Sequence, residues 1–234
     1  MKPTTLNSAS QVFSVFAVVL LFATSVLADD YISPTEIPFN DVERETLFVA
    51  LNANSSVEQK KQAYLAQLAR LTSSKTTKVE EVEHLESSIA ELQLLLPDDP
   101  ELNAALGSSI SFKSSFYINQ LAKLSLFSRR GNRIMDRAVK QSPLNLGARL
   151  QRGISCANMP AFLRRARYAV EDLELVREKI GRKYGAEFLG FVEFYLAQAY
   201  QRNEQTDKAQ LLFRQLVASE TDWSDKAKQA LETL

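Results

Sequence analysis

The chain has few of the residues that build most catalytic and metal sites. Its 234 residues include one histidine, His84, and one cysteine, Cys156. Zinc sites need three or four nitrogen, sulfur or oxygen ligands, and Ser-His or Cys-His nucleophilic pairs need a placed imidazole. The sequence also lacks a Gly-rich phosphate loop and a G-x-S-x-G motif. We therefore expect a protein that is not an enzyme and that uses no cofactor and no metal ion.

His84 is the one residue that suggests a metal ligand, because Glu80 and Glu81 precede it at helical spacing. No second imidazole or thiol is available to complete the ligand shell. We interpret this segment as a solvated acidic face of a helix.

Glycine and proline are also scarce, with seven residues of each, and no alternating stretch predicts a strand of more than five or six residues. A hydrophobic content of 45% and a net charge of zero indicate a packed core. Apolar residues recur every three or four positions, which predicts an all-α fold. A short helix is expected after Asn40, which offers an N-cap, and further helices over 57–71, 82–96, 102–110, 124–138, 146–157, 162–173 and onward to the C-terminus. Pro97 and Pro143 are expected to follow helix ends, and Pro160 is expected to begin a helix.

The N-terminus resembles an export signal. Lys2 precedes an apolar centre over residues 12–23, and the small residues Val26 and Ala28 occupy the −3 and −1 positions of a cleavage site. We expect residues 1–28 to be a cleaved signal peptide and the mature protein to be periplasmic or otherwise exported. An uncleaved anchor is the alternative, since the uncharged run over 8–28 could cross a bilayer if tilted. In an oxidising compartment the lone Cys156 is expected to be buried.

Small residues recur at intervals that indicate a helical repeat. Gly107 and Gly153 each follow a proline, Pro97 and Pro143, by ten residues. In the last unit an aromatic residue lies three positions after Ala197, and Ala209 and Phe213 follow it. These spacings resemble the tetratricopeptide repeat, whose paired helices meet at small residues. The chain is similar to an exported bacterial member of that family.

The resemblance implies a right-handed α-solenoid of antiparallel helix hairpins over residues 76–234, preceded by an N-terminal arm and helices over 29–75. It assigns Gly107, Gly153 and Ala197 to the first helices of the repeats, and Gly131, Ala166 and Ala209 to the second helices, with Ala138 and Pro143 closing one repeat. The interval from Gly107 to Gly131 is twice the usual one, so that unit should carry about a dozen extra residues. A generic helical bundle is the alternative.

Charge is segregated along the chain. Residues 29–106 contain fifteen acidic and six basic side chains, whereas residues 123–167 contain eleven basic side chains and the single acid Asp136. Four of these bases lie on one helical face and two on the following helix, and we expect them to form a partner-binding patch: Arg130, Arg133, Arg137, Lys140, Arg149 and Arg152. Arg164, Arg165 and Arg167 are expected on the helix after that.

The patch predicts a protein partner with an acidic surface, or peripheral association with the anionic envelope. Nucleic acid is not expected as a partner of an exported protein. Two alternatives remain: the patch is neutralised internally by the acidic helices around residues 80–91, or it is a solvated face.

We therefore expect a non-catalytic protein-interaction or assembly scaffold in the cell envelope. The alternative is a periplasmic helical protein that binds a small molecule or lipid and is associated with a transport system, with Phe112, Phe116 and Tyr117 lining its pocket. A large apolar cavity would favour the ligand hypothesis, and an open polar groove would favour the interaction hypothesis.

Overall fold

The structure, a computed structural model, describes residues 30–180 and 183–233. Within those residues it contains ten α-helices, two short 3₁₀ turns and no strand, which confirms the predicted all-α class. The helices are α1 (Asp41–Val49), α2 (Val57–Ser73), α3 (Val79–Leu95), α4 (Pro100–Lys113), α5 (Leu121–Gln141), α6 (Leu146–Asn158), α7 (Ala166–Ile180), α8 (Gly185–Arg202), α9 (Thr206–Val217) and α10 (Trp223–Glu232). The 3₁₀ turns are Ser114–Tyr117 and Ala161–Leu163. The predicted signal peptide, residues 1–28, lies outside the described residues. None of the described helices combines the length and the apolar character needed to span a membrane.

Side chains that bond to free backbone N–H groups begin several of the helices. The Asn40 side chain accepts hydrogen bonds from the backbone of Val42 and Glu43, as its position in the sequence predicts. Asp99 caps α4, and Asn145 caps α6 in the same way. These bonds satisfy donors that the first helical turn leaves without a partner inside the helix.

The prediction that Pro160 begins a helix is wrong. Residues 161–163 after it form only a 3₁₀ turn, which the backbone N–H of Arg164 closes by donating to the carbonyl of Ala161. Arg164 then adopts a left-handed backbone conformation with φ of 52°, and an α-helix cannot continue through such a residue. As a result α7 begins at Ala166, and Phe162 lies exposed on the turn. Arg164 and Arg165 precede α7 instead of lying on it.

The helices pack in two layers. Each even-numbered helix from α2 to α10 contacts the next even-numbered helix, and these five form the inner layer. Each of α3, α5, α7 and α9 contacts the inner-layer helices before and after it, and these four form the outer layer. Sequential helices are therefore neighbours along the whole chain, which follows from their short connections.

Small residues allow the closest crossing, between α4 and α5. A Cβ atom added to Gly107 would lie 2.8 Å from the carbonyl oxygen of Gly131, so the two helix backbones are in direct contact. Beside this crossing, Ala104, Ala138 and Ala148 are buried together and join α4, α5 and α6. The resemblance assigned Gly107 and Gly131 to paired helices, and the two residues are in contact although their interval is twice the usual one.

The buried apolar residues form two main clusters. The N-terminal core lies between α2, α3 and α4, and the C-terminal core extends from α5 to α10. The extended arm over residues 31–39 connects them, because Ile37 packs against the N-terminal core while Tyr31 and Phe39 pack against the C-terminal core.

Candidate functional site

A cavity of about 730 Å³ lies against the inner layer of the molecule. Its walls come from the arm, α1 and all five inner-layer helices, whereas of the outer-layer helices only α5 contributes, through Leu124. The apolar lining side chains are Pro34, Ile37, Phe39, Val42, Leu65, Leu68, Ala69, Phe112, Ile118, Leu124, Leu150, Ile154, Met159, Pro160, Phe162, Leu163, Tyr184, Phe188, Phe191, Tyr195 and Trp223. Both cores therefore contribute to a single, mostly apolar space.

Aromatic rings concentrate at the C-terminal end of the cavity. The ring centroid of Phe191 lies 5.8 Å from that of Phe39 and 5.4 Å from that of Trp223. Such ring pairs add packing energy beyond the area they bury. Elsewhere three apolar lining residues are exposed to solvent: Val42 at 72%, Ile118 at 67% and Phe162 at 72%. The cavity is thus open to solvent beside these residues.

The structure places only one of the three predicted pocket aromatics in the cavity. Phe112 lines it, whereas Phe116 and Tyr117 do not. Phe116 packs on the ring of Phe112, and Tyr117 packs on that of Phe127 at 5.4 Å. Both lie on the 3₁₀ turn at Ser114–Tyr117, where the α-helical period that grouped them with Phe112 is lost.

Sequence reasoning missed the aromatic residues of α8. Phe188, Phe191 and Tyr195 follow one another at intervals of three and four residues and all line the cavity. Their spacing places them on one face of the helix and could have identified them. Trp223 on α10 carries no such signal, because no other aromatic residue lies three or four positions from it.

Hydrogen bonds hold the arm as one wall of the cavity. The backbone N–H and the hydroxyl of Thr35 donate to the carboxylate of Glu101, with a hydroxyl-to-Oε2 distance of 2.7 Å. The Gln62 side chain donates to the carbonyl of Glu36 at 2.8 Å. Upstream, the N–H of Ile32 donates to the carbonyl of Leu144 at 2.9 Å. The inner layer therefore binds an extended peptide segment, here its own.

Charged groups at the cavity differ in whether they are paired. Arg44 is 2.9 Å from the carboxylate of Asp41, and the lining carboxylate of Glu101 is 3.0 Å from the ammonium of Lys61 outside the lining. Lys226 lies 4.1 Å above the ring of Trp223, and among the described residues no acidic oxygen lies within 4.0 Å of its ammonium. Burial lowers the pKa of Lys226 from its ordinary value. The Trp223 indole N–H is buried, and no described residue accepts a hydrogen bond from it.

Four of the six predicted partner-binding residues form an exposed surface. Arg130, Arg133, Arg137 and Lys140 all lie on the outward side of α5, and we call them the α5 basic face. In the part of the chain that the structure describes, none of the four has an acidic oxygen within 4.0 Å. Their mutual repulsion is therefore not relieved by an ion pair.

The other two predicted residues are placed differently, because their charge is neutralised within the fold. Arg152 is 5% exposed, and its guanidinium donates to both carboxylate oxygens of Asp172, at 2.6 and 2.9 Å. Arg149 donates to the same carboxylate at 2.8 Å, and Arg165 donates to Asp136 at 2.6 Å. We call Arg149, Arg152 and Arg165 the buried guanidinium cluster.

The counter-charge for this cluster comes from α5 and α7. Asp136 lies on α5, and Asp172 lies on α7 together with Glu171, which is 3.4 Å from Arg149. The acidic helix around residues 80–91, which was the alternative source of internal counter-charge, instead neutralises Lys113, which is 2.6 Å from Glu86. Complete burial raises the pKa of Asp172, and the hydrogen bonds from Arg152 and Arg149 restrain the rise.

Cys156 lies beside this cluster and is fully buried, as the sequence predicts. Burial raises the pKa of its thiol to about 11, and the charge of Arg165 opposes that rise. A thiol with such a pKa is neutral at physiological pH, so Cys156 is not an activated nucleophile.

The described residues contain no group of three or more His, Cys, Asp or Glu side chains placed to hold a metal ion. His84 is exposed on α3, and its ring lies 6.3 Å from that of Phe48 in an edge-on arrangement.

No protein-family model matches the chain, and no curated protein or solved structure is significantly similar to it.

Proposed function

We propose that the chain is a non-catalytic binding protein that holds an elongated apolar ligand in the cavity of the inner layer. In this proposal the two layers belong to a right-handed solenoid of tetratricopeptide-like hairpins, and the cavity is its concave side. The observation that carries the proposal is the apolar space of about 730 Å³ bounded by the arm and by five helices. Binding sites for small molecules in proteins typically enclose about 300 to 1,000 Å³.

The lining favours a lipid-like ligand over a polar one. Rings of Phe39, Phe188 and Phe191 lie together at one end, and aliphatic side chains of α2 and α6 extend the apolar wall. Each apolar Å² removed from water contributes about 25 cal/mol, so a long hydrocarbon chain gains most from this shape. The few polar groups would position the ligand rather than supply most of the affinity.

The ligand class includes an anionic head group. Lys226 lines the cavity, and among the described residues no acidic oxygen lies within 4.0 Å of its ammonium, although Asp41 and Asp222 attract it from a greater distance. An anionic head near Lys226 would offset the unfavourable partial burial of its ammonium. A fatty acid or another single-chain lipid with an anionic head meets both requirements.

Titration with a fluorescent long-chain fatty acid tests this proposal. Ala69→Phe on α2 and Ser155→Trp on α6 each add a ring inside the cavity and should weaken binding at least about tenfold by occupying the space the chain needs. Ser87→Trp, at an exposed position of α3, adds the same volume outside and should leave binding unchanged. Lys226→Gln should weaken binding of the acid but not of the matching alcohol. Equal affinity of the wild type and all four variants would refute the cavity as the site.

One observation favours the interaction scaffold as a second candidate function. The arm is itself an extended peptide bound along the inner layer through Thr35 and the carbonyl of Glu36. A partner's extended segment could use the same groups if the arm were displaced. Deleting residues 30–38 should then increase the affinity for a peptide with the arm's own sequence, whereas the ligand hypothesis predicts no specific binding of that peptide.

Export remains part of the proposal. The small residues Val26 and Ala28 favour cleavage after residue 28, with Asp29 as the mature N-terminus. N-terminal sequencing of protein from an extracytoplasmic fraction measures this directly. A full-length, membrane-bound species would instead support the uncleaved anchor.

A further inference from the structure

We propose that the α5 basic face docks on an anionic lipid surface. The inference rests on the outer layer alone and is independent of what the cavity holds. It begins from the spacing of the exposed residues of α5. Lys123, Leu126 and the four residues of the α5 basic face follow one another at steps of three, four, three, four and three. Those steps place all six on one side of a helix, over a length of about 25 Å, and we call these six residues the stripe.

This stripe presents a single sign of charge. Arg129, also exposed, lies beside it, which brings the total to six cations on one helix surface. The one acid of α5, Asp136, is engaged by Arg165 and Arg152 and so does not neutralise the stripe. An anionic surface that approaches from outside would therefore relieve repulsion at every turn of the helix.

Two exposed leucines favour a bilayer over an acidic protein. Leu126 is 61% exposed and lies within the stripe, between Lys123 and Arg130. Leu121, 77% exposed, begins the same helix. At a membrane surface such side chains enter the boundary between head groups and acyl chains, while neighbouring cations contact the phosphates. Most of the cations are arginines, and one planar guanidinium group can donate two parallel hydrogen bonds to the oxygens of one phosphate.

The shape of the surface supports the same partner. The stripe runs along the outward side of α5, whereas α5 contributes only Leu124 to the lining of the cavity. A planar bilayer contacts such a ridge along its whole length. The geometry therefore assigns the two surfaces different partners: a ligand inside and an anionic lipid surface outside.

Vesicle co-sedimentation of the full chain tests the assignment. Binding is compared between vesicles of phosphatidylcholine alone and equimolar phosphatidylcholine and phosphatidylglycerol. The preference for anionic vesicles is the readout, and it is compared between variants because all of them share the same N-terminal segment. We expect a clear preference for the anionic vesicles, weakened by added salt. Arg133→Glu with Arg137→Glu should reduce that preference more than about 30-fold, since each cation near an anionic surface contributes about a factor of five.

A matched variant separates local binding from net charge. Arg214→Glu with Lys228→Glu makes the same charge change at exposed positions of α9 and α10, and it should retain most of the preference. Leu126→Ser should reduce it a few-fold. An equal loss in both double variants, or no preference for anionic vesicles, would overturn the proposal. Binding to poly-glutamate that is tighter than binding to vesicles and insensitive to Leu126→Ser would overturn it in favour of an acidic protein.

Discussion

The buried guanidinium cluster and the α5 basic face come from the same basic block of the sequence, yet the fold treats them in opposite ways. Arg152 makes two hydrogen bonds to one fully buried carboxylate, whereas Arg133, three residues before Asp136 on α5, is exposed and has no acidic partner among the described residues. The difference depends on which side of a helix faces a neighbour. An arginine at a helix contact needs an acid because a buried unpaired charge is costly, and one on the outward side does not. Whether an arginine faces a neighbouring helix or the solvent, rather than the local density of charge, therefore decides whether it is structural or available for binding.

Removing the shared acid of the buried cluster should have the largest effect. Asp172→Ala leaves Arg149 and Arg152 without their main partner in a buried site, which should lower the free energy of unfolding by about 3 to 5 kcal/mol. Urea denaturation measures the change. Glu171→Ala, at an exposed neighbouring position, is the control and should change stability by less than about 0.5 kcal/mol. A loss below about 1 kcal/mol for Asp172→Ala would show that the cluster is not energetically important.

Introducing leucine on the buried side and on the exposed side of α5 compares how much each side contributes to stability. Gly131→Leu forces a side chain against the backbone of α4 and should cost about 3 kcal/mol, although leucine favours helix more than glycine does. Arg133→Leu, two residues away and exposed, should change stability by less than about 0.5 kcal/mol. Similar melting temperatures for the two variants would contradict the close contact between α4 and α5.

The free energy of unfolding should also depend on pH through the buried thiol of Cys156. Burial raises the pKa of the Cys156 thiol from its ordinary value of 9.0 to about 11 in the folded protein. The thiol of the unfolded chain therefore ionises first as the pH rises. The free energy of unfolding should therefore fall between pH 9 and pH 11, by at most about 2.7 kcal/mol for two pKa units. Denaturation of the protein and of Cys156→Ala across this range isolates the effect, since other titrating groups are common to both. Parallel curves would show that the thiol does not contribute.

The smallest expected change has the opposite sign. Arg133→Glu replaces repulsion with attraction toward Arg130 and Arg137, at helical spacings of three and four, and should stabilise the protein by about 0.5 kcal/mol. Differential scanning calorimetry at low salt measures the rise in melting temperature, which should diminish at high salt. A decrease in melting temperature would indicate that Arg133 has a structural partner.

Local signals predicted most of the helices. Asn40 caps α1, and α3 ends just before Pro97, because both signals act through bonds within a few residues. The prediction from Pro160 failed because a proline can begin a 3₁₀ turn as well as an α-helix. The left-handed backbone of Arg164, which prevents a helix there, has no local sequence signature. The pocket prediction was right for Phe112 and wrong for Phe116 and Tyr117, which lie on the 3₁₀ turn that follows the end of α4 at Lys113.

The sequence by itself determined the all-helical class, the burial of Cys156, the scarcity of catalytic side chains and the existence of a basic block. Each of these depends on composition or on hydrogen bonds between residues four apart. Only the tertiary structure decided that Arg152 pairs with Asp172, twenty residues away, and that the arm and the inner layer enclose a cavity. Those outcomes depend on the rotation and spacing of helices that contact across the fold. The side chains at every crossing set that geometry together, and no local pattern encodes it.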